Sequence, residues 1–247
     1  MANLLNINTW TVGSGSVTGF PMTGYTAESV RSISTDAWNK SAIIWQAQYD
    51  GVNSGYGDGG WWTSPLSMSI AFTYRFSVWV RKIALGSGGS IYFGTNGYND
   101  VPALIGLTEL GGANNTNSYF YTSASPPSNA IFPLNTWVLM IGHINYYGYV
   151  GGAQTTSGIW SLNGTKLSGM HYEYKWRSDN TKAEHRVYLV YSHPYTDTIV
   201  QFLYPRIDKC DGTEPSLRNL LVNQKYTFAF RTSRGTFNAQ CKDVVSN

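Results

Sequence analysis

A strict two-residue alternation over residues 70–80 limits the folds open to this chain more than any other feature of its sequence. Apolar side chains occupy every even position of that segment. The side chains of a β-strand point alternately to its two faces, so this pattern indicates a half-buried strand. The second face carries Arg75, Trp79 and Arg81. We expect that face to be partly exposed to solvent, with Arg75 and Trp79 as candidate ligand-binding residues.

Similar runs recur along the chain, whereas helical patterns are scarce. The dipeptide Asn163-Gly164 is typical of a two-residue hairpin turn. Helical signals are confined to one segment, where Pro215 suits a first helical position and three leucines share a face. The sequence therefore predicts an all-β fold, a two-sheet antiparallel jelly-roll β-sandwich with one short helix near Pro215–Leu221. The other strands are predicted at Ser29–Asp36, Ala42–Gln48, Ser90–Gly94, Ala103–Leu110, Asn117–Thr122, Thr136–Ile144, Gly158–Leu162, Thr165–Leu167, Tyr172–Arg177, His185–Ser192 and Thr198–Ile207.

The length of 247 residues suits one large all-β domain. We expect residues 1–208 to form the sandwich and residues 209–247 to form a C-terminal extension packed on it, with the short helix and a final strand over Lys225–Thr232. Cys210 and Cys241 both lie in this extension. They either form one bridge or remain thiols, and the sequence leaves both open.

Charge is low for a folded chain, and this excludes several classes of partner. Charged residues make up 13% and aromatic residues 15%, with a net charge of +3. The longest basic run is the pair Arg81-Lys82, so the basic patch of a nucleic-acid binder is missing. No apolar run approaches the roughly 18 residues of a membrane helix. We therefore expect neither nucleic-acid binding nor membrane insertion.

The first six residues, Met1 to Asn6, have neither the basic region nor the apolar region of a secretory signal. We therefore expect a protein that is made in a host cytoplasm without a signal peptide. It would either stay in that cell or leave as part of an assembled particle.

No catalytic motif stands out. The histidines show no zinc-ligand spacing, and there is no nucleophile elbow or phosphate loop. We expect a protein that is not an enzyme. The rival hypothesis is a sandwich-type polysaccharide lyase or glycoside hydrolase, with a Tyr/His site or paired carboxylates doing acid/base work. Its candidate residues are Glu109, His171, Tyr172, Glu173, Tyr174, Lys175 and Glu184.

Aromatic residues concentrate in three glycine- and asparagine-rich loops. Such rings offer flat contact area to a sugar, and neighbouring polar groups supply hydrogen bonds. Alternatively, the rings pack beneath their own loops or against another subunit, and for Trp61 burial is the favoured reading. Connecting loops often carry function, so we expect the working surface to be built from all three. The candidates are Tyr49, Tyr56, Trp61 and Trp62 in the first loop, Tyr98 in the second, and Tyr146, Tyr147 and Tyr149 in the third.

The sequence supports a metal site less than it supports a surface of aromatic loops. No twelve-residue calcium loop is present. A structural calcium ion between strand ends would use Asp208 or Asp211 with main-chain carbonyls. We expect no other cofactor.

Several segments resemble the jelly-roll carbohydrate-binding modules that occur in glycanases and in phage tail and other virion proteins. The resemblance rests on the opening Asn3-Leu-Leu-Asn6 with Trp10, on Glu28-Ser-Val-Arg31, and on the central strand Tyr74-Arg-Phe-Ser-Val-Trp-Val-Arg81. The segments Arg186–Tyr191 and Phe202–Ser216 look like the closing part of such domains in phage structural proteins. These modules often carry calcium and a sugar site on a concave face or at loop tips.

This resemblance implies a non-catalytic virion structural protein, such as a tail fibre, spike or capsid decoration. Its partners would be a glycan or host-cell surface, other virion proteins and, we expect, further copies of itself. The main alternative without glycan binding is a purely structural assembly protein that uses the aromatic loops for subunit contacts.

Overall fold

The computed structural model describes residues 3–53, 55, 57–84, 86–101 and 103–222, together with the backbone of residues 231–232 and 235–236. Within these residues the secondary structure is almost entirely β. The strands are β1 Gly13–Ser14, β2 Ser29–Thr35, β3 Ser41–Gln48, β4 Gly60–Trp62, β5 Leu66–Ser67, β6 Thr73–Lys82, β7 Ser90–Gly94, β8 Gly97–Tyr98, β9 Leu107–Glu109, β10 Asn114–Asn115, β11 Tyr119–Thr122, β12 Trp137–Asn145, β13 Gly158–Ser161, β14 Lys166–Ser168, β15 Tyr174–Lys175, β16 Lys182–Ala183, β17 Arg186–Val190, β18 Ile199–Cys210, β19 Arg231–Thr232 and β20 Gly235–Thr236.

Three short helical segments accompany the strands. Two are 3-10 turns, at Ile7–Thr9 and Thr26–Glu28, and one is an α-helix, α1, at Leu217–Leu221. None of the helices in the described residues has the length and apolar character that crossing a bilayer requires.

Two sheets pack face to face. The large sheet has the order β1-β2-β3-β18-β6-β12-β15-β9-β10, with β13 and β14 attached beside β12, and the small sheet has the order β11-β7-β17-β4. The eight central strands, taken in chain order, switch between the two sheets at every step except the one from β7 to β11. The central strands lie as β3-β18-β6-β12 opposite β4-β17-β7-β11. This is the strand order of a jelly roll.

The predicted all-β jelly-roll sandwich with one short C-terminal helix is therefore confirmed. Nearly all pairings are antiparallel, but β12 and β15 pair in parallel. Two predicted strands are much shorter than expected, because only Leu107–Glu109 and Tyr174–Lys175 pair within the predicted ranges. Ser216 caps α1, since its hydroxyl oxygen accepts a hydrogen bond from the backbone N–H of Asn219.

The main core lies between the two sheets and is dominated by aromatic rings. Trp10, Trp45 and Trp61 meet with ring centroids 5.2–5.6 Å apart. The favoured reading of Trp61 as a buried ring is confirmed, since none of its surface is exposed. Trp61 Nε1 donates a hydrogen bond of 3.3 Å to Nδ1 of His185.

His185 is a neutral polar group in this core. Its Nε2 donates to the carbonyl oxygen of Ser77 at 3.1 Å, so both ring nitrogens are satisfied without charge. Burial lowers the pKa of His185 to about 4, because the interior disfavours the imidazolium. The core therefore tolerates this histidine only in its neutral form.

A second core covers the outer face of the large sheet. Trp79, Leu139 and Leu203 pack there against Leu220 and Leu221 of α1. The expectation of a partly wet face is wrong at Trp79, which is 1% exposed. Alternation predicts which side of a strand a residue occupies, but the helix that covers this side comes from a distant part of the chain.

The extension beyond residue 208 is described in part. The helix packs on the sandwich as expected, and its end is tied down where Trp38 Nε1 donates to the Leu221 carbonyl at 2.8 Å. The predicted strand Lys225–Thr232 lies mostly outside the described residues, of which only Arg231–Thr232 is seen to pair. Cys241 also lies outside them, so the question of a bridge to Cys210 stays open.

Close packing between the sheets generates a stability prediction. A methyl group added at Gly142 on β12 would overlap the ring of Phe120, which is fully buried. We expect Gly142→Ala to lower the free energy of unfolding by about 2–3 kcal/mol, because the core cannot expand without strain. Urea denaturation measures this change. Gly111→Ala is the matched control, since nothing lies within 4 Å of a methyl group there. If both variants unfolded at the same urea concentration, that result would contradict tight sheet packing at Gly142.

Candidate functional site

The outer face of the small sheet carries a cleft of about 820 Å³. Alternation along β17 sends Val187 and Leu189 into the main core and leaves Arg186, Tyr188 and Val190 on the other side. Neighbouring strands contribute further outward residues. The described residues that line the cleft are Pro21, Met22, Thr23, Gly24, Asn53, Gly55, Gly57, Asp58, Trp62, Asn117, Tyr119, Tyr188, Val190, Tyr191 and His193.

Aromatic rings form one continuous wall of this cleft. Tyr188 lies at its centre, with ring centroids 5.8 Å from Trp62 and 6.2 Å from Tyr119. The hydroxyl groups of Tyr119 and Tyr188 share a hydrogen bond. Tyr92 joins them from behind, 5.7 Å from Tyr188 and 5.6 Å from Tyr191. The rings are therefore fixed by one another.

Arg186 holds two of these rings in position. Its guanidinium carbon lies 3.9 Å from the ring centroid of Tyr119 and 5.4 Å from that of Trp62. It also donates to Asn117 Oδ1 at 2.9 Å and to the Ser118 carbonyl at 2.8 Å. The side chain is fully buried. Arg186 therefore supports the rings by cation–π contact and does not reach the open cleft.

Tyr191 closes the wall in an unusual backbone conformation. Its φ is +61°, in the left-handed region that costs a bulky residue free energy. Its side chain is nevertheless 64% exposed and reaches the cleft. Strained residues of this kind concentrate at functional sites.

The opposite end of the cleft is acidic. Glu28 is 1% exposed, and its Oε2 accepts a hydrogen bond from the backbone N–H of Tyr25 at 2.5 Å. Its Oε1 has no hydrogen-bond partner among the described residues. Burial, with a smaller contribution from the charges of Asp50 and Asp58, raises the pKa of Glu28 to about 7. Burial also raises the pKa of Asp58, against the hydrogen bond of 2.8 Å that it accepts from Ser192 N–H.

The residues predicted from the first loop are divided between core and cleft. Trp62 lies in the cleft wall and is 39% exposed. Trp61 and Tyr49 are buried, and Tyr49 packs edge-on against His193 at 5.7 Å. Tyr56 lies outside the described residues. Trp61 and Trp62 lie on β4 and not in a loop, so the inward or outward direction of each ring follows from sheet packing.

The third loop lies at the other end of the sandwich. β3 ends at Gln48, beside the Lys82 end of β6, whereas β12 ends at Asn145, beside the Tyr74 end of β6. Tyr74 and Lys82 are eight residues apart on one strand, or about 26 Å. The first and third loops therefore do not build one surface, and that expectation is wrong. Tyr146, Tyr147 and Tyr149 form their own group, with Tyr146 and Tyr149 in edge contact at 5.3 Å.

Three more predicted residues have internal roles, two through hydrogen bonds and one through packing. Tyr98 donates through its hydroxyl group to Glu184 at 2.6 Å. Arg75 is buried, and its guanidinium donates to Asp208 at 2.9 Å and to the Pro215 carbonyl at 2.7 Å. With Trp79 under α1, the Arg75 and Trp79 side chains are structural and offer no open surface.

The predicted calcium ligands face cations. Asp208 is buried between Arg75 and Arg206, with nitrogen–oxygen distances of 2.9 and 2.6 Å. Asp211 pairs with Lys209 at 3.6 Å and accepts from the Thr213 hydroxyl. Among the described residues, no group of three or more His, Cys, Asp or Glu side chains is placed to hold a metal ion.

The candidate residues of the enzyme hypothesis gather at a second cleft of about 580 Å³, near the third loop. Glu109, His171, Tyr172 and Glu173 line it. Both carboxylate oxygens of Glu173 accept from the Gln154 N–H, at 3.0 and 3.1 Å. Tyr174 is buried, with its hydroxyl donating to the Tyr119 carbonyl at 2.9 Å. This cleft brings two carboxylates together but leaves Glu173 engaged with backbone.

Sequence reasoning missed most of the cleft wall. Tyr119, Tyr188, Tyr191 and Arg186 were read as strand residues, because nothing in the alternation of β17 tells which face is solvated. A signal was present in Arg186-Val-Tyr-Leu189, where Arg186 and Tyr188 share one face and the aliphatic Val187 and Leu189 share the other.

Comparisons with known proteins give little at the level of sequence. The chain matches no protein-family model and no curated protein. Similar solved structures include an exo-β-agarase, at 10% identity and a TM-score of 0.43, and the C-terminal family 22 carbohydrate-binding module of a Clostridium thermocellum protein, at 11% identity and a TM-score of 0.37. They cover 81% and 85% of this chain.

The chain spans 24% of the agarase and 99% of the binding module. Similarity of this degree carries no argument about the present chain. Its fold is assigned from its own strand order, and its site from its own side chains.

The buried carboxyl group of Glu28 predicts an unusual pH dependence. A glutamate in an unfolded chain has a pKa near 4.5, whereas that of Glu28 in the fold is about 7. The fold therefore favours the protonated form, and its stabilising contribution is complete below pH 4.5 and lost as the pH rises to about 7. Glu28→Gln mimics the protonated form, so we expect it to become more stable than the wild type by up to roughly 3 kcal/mol across this window.

Urea unfolding at a series of pH values measures this difference. Glu109→Gln, at the second cleft, controls for loss of one negative charge. A constant difference between wild type and Glu28→Gln from pH 4.5 to 7 would contradict the burial of an unpaired carboxyl group.

Proposed function

We propose that this chain is a non-catalytic carbohydrate-binding module whose ligand lies in the cleft on the small sheet. The observation that carries the proposal is the fixed wall of Trp62, Tyr119, Tyr188 and Tyr191 beside hydrogen-bonding groups on the same cleft. Rings offer flat apolar contact to the C–H faces of a sugar, and such contacts are directional enough to select an orientation.

The polar part of the lining complements the rings. Asn53 and Asn117 each present an amide that both donates and accepts, and Asp58 and His193 complete the set. Sugar hydroxyls also donate and accept, so they can bind the amide N–H groups of Asn53 and Asn117, whose oxygens already accept from Gly55 and Arg186. The volume of about 820 Å³ falls within the range usual for small-ligand sites.

The rigidity of the wall supports binding over chemistry. The rings are held by mutual contacts, by Arg186 and by the strands themselves, so little conformational entropy is lost when a ligand stacks. The paired carboxylates at the second cleft are the strongest support for the enzyme hypothesis, but Glu173 is tied to the Gln154 backbone. Release of sugar products by the wild type that stops in Glu173→Gln would overturn the non-catalytic proposal.

We place this module on a virion, as a tail fibre, spike or decoration that attaches to host-surface glycans. The support is the resemblance of segments 186–191 and 202–216 to phage structural proteins. The exposed group around Tyr147 and Val150, 55% and 94% exposed, supports a role in contacts with further copies or other virion proteins. Two results together would exclude this placement. The chain would be a stable monomer at micromolar concentration, and antibodies raised against it would fail to label intact virions.

Substitutions in the cleft wall test the proposed function. We expect Tyr191→Ala and Trp62→Ala each to weaken binding of a glycan about fivefold, because stacking of one ring contributes on the order of 1 kcal/mol. The melting temperature of Tyr191→Ala should stay within about 2 °C of the wild type, since its ring is mostly exposed. Calorimetric titration with cellotetraose, xylotetraose and agarotetraose measures the affinity.

Tyr147→Ala is the matched control, because Tyr147 is similarly exposed but lies at the opposite end of the sandwich. We expect unchanged affinity for this variant. If Tyr147→Ala abolishes binding while Tyr191→Ala does not, the glycan site is at the third loop, and the cleft proposal is wrong.

A further inference from the structure

We infer that the cleft selects glycans that carry free amino groups, with a protonated amine held at the acidic end beside Asp58. This inference rests on the proposed function, because it uses the same cleft. It follows from three features that arise independently: the charges around the cleft, an unpartnered buried carboxylate behind it, and ring faces next to that carboxylate.

The first feature is an imbalance of charge. None of the described residues that line the cleft is Lys or Arg. Arg186 is near but fully buried, and its guanidinium is used by Asn117 and Ser118 at the far end of the wall. At the near end, Asp58 lines the cleft, and Asp50 lies close enough to act on it electrostatically. His193 is the lining residue there that can carry positive charge, and its charge lowers the pKa of Asp58. An anionic glycan would therefore meet two carboxylates and one imidazole at this end, whereas an ammonium group would be attracted by the carboxylates.

The second feature is the unpartnered side chain of Glu28. Its carboxylate packs against Gly24 and the Gly57 carbonyl, since a methyl group built on Gly24 would overlap both. Gly24 and Gly57 are themselves cleft-lining residues. Among the described residues, one carboxyl oxygen of Glu28 and a nearby hydroxyl, Thr23 Oγ1, have no hydrogen-bond partner. Buried polar atoms without a partner are costly, so this floor favours a ligand that brings hydrogen-bond donors. Burial keeps Glu28 mostly protonated at pH 6, so the charge that attracts an ammonium group is that of Asp58.

The third feature is the ring faces beside these carboxylates. Tyr188 lies so close to Gly57 that a methyl group there would be 2.8 Å from its Cδ2. Tyr191 directly precedes Ser192, whose N–H binds Asp58. An ammonium group in this corner therefore meets a carboxylate on one side and tyrosine faces on the other. Both contacts attract a cation and neither attracts an uncharged acetamide in the same way.

The test compares two ligands that differ only in this group. A glucosamine tetramer and its N-acetylated form are titrated against the full chain at about pH 6, where the amines are protonated. We expect the amine form to bind about tenfold more tightly at low salt. This advantage should shrink to about twofold in high salt, because exposed charges are screened, while affinity for the N-acetylated form stays constant.

The variant Asp58→Asn removes the nearest charge and keeps an oxygen that accepts from Ser192. We expect it to weaken binding of the amine form several-fold more than binding of the N-acetylated form, so that the advantage of the amine form shrinks. Asp179→Asn is the matched control, since this exposed aspartate lies beside Tyr147 at the other end of the sandwich. If Asp58→Asn does not fold, the salt dependence of the wild type and the variant Asp50→Asn decide the question.

The outcomes separate this inference from the proposed function. Equal or tighter binding of the N-acetylated form, lost in Tyr191→Ala, would overturn the inference and leave the proposed function intact. No binding of either tetramer or of the neutral glycans would overturn both. Binding of the N-acetylated form that requires added calcium and stops in EDTA would assign the carboxylates to a metal ion and also overturn the inference.

Discussion

The two-residue period of β17 couples the core of this protein to its cleft. Val187 and Leu189 are fully buried between the sheets, so Arg186 and Tyr188 must stand on the outer face. A slip of one residue in the pairing of β17 with β7 would exchange the two sets. Sheet packing and ring positions are therefore fixed by the same register, and neither can change without the other.

Polar groups inside the sandwich follow one rule, which is that each is kept neutral or paired. His185 is neutral because Trp61 donates to one ring nitrogen and the other donates to a carbonyl. Asp208 is charged but lies between two arginines. Glu28 departs from this rule, since it is buried among other carboxylates with one oxygen unpartnered. A departure of this kind beside a cleft is the reason to connect Glu28 with ligand binding.

The cleft and the third loop show how similar composition leads to different surfaces. Both are rich in tyrosine and glycine, but the cleft rings are held by strands and by Arg186, whereas Tyr146 and Tyr147 stand on a connecting loop. Rings that are held in place lose less entropy on binding and suit a small ligand. Exposed loop rings suit a broader contact such as another subunit. The two surfaces lie toward opposite ends of the sandwich, so a ligand at one does not block the other.

The sequence by itself determined the fold class, the long strands and the short helix, because alternation and turn residues are local signals. It predicted Trp62 in a loop, whereas Trp62 lies on β4. Only the tertiary structure decided which face of each strand meets solvent. Trp79 is buried because α1, more than 130 residues away along the chain, covers it, whereas Trp62 is 39% exposed because its ring lies in the cleft on the outer face of the small sheet. Alternation shows which residues share a face of a strand. Which of the two faces is buried depends on packing against distant parts of the chain.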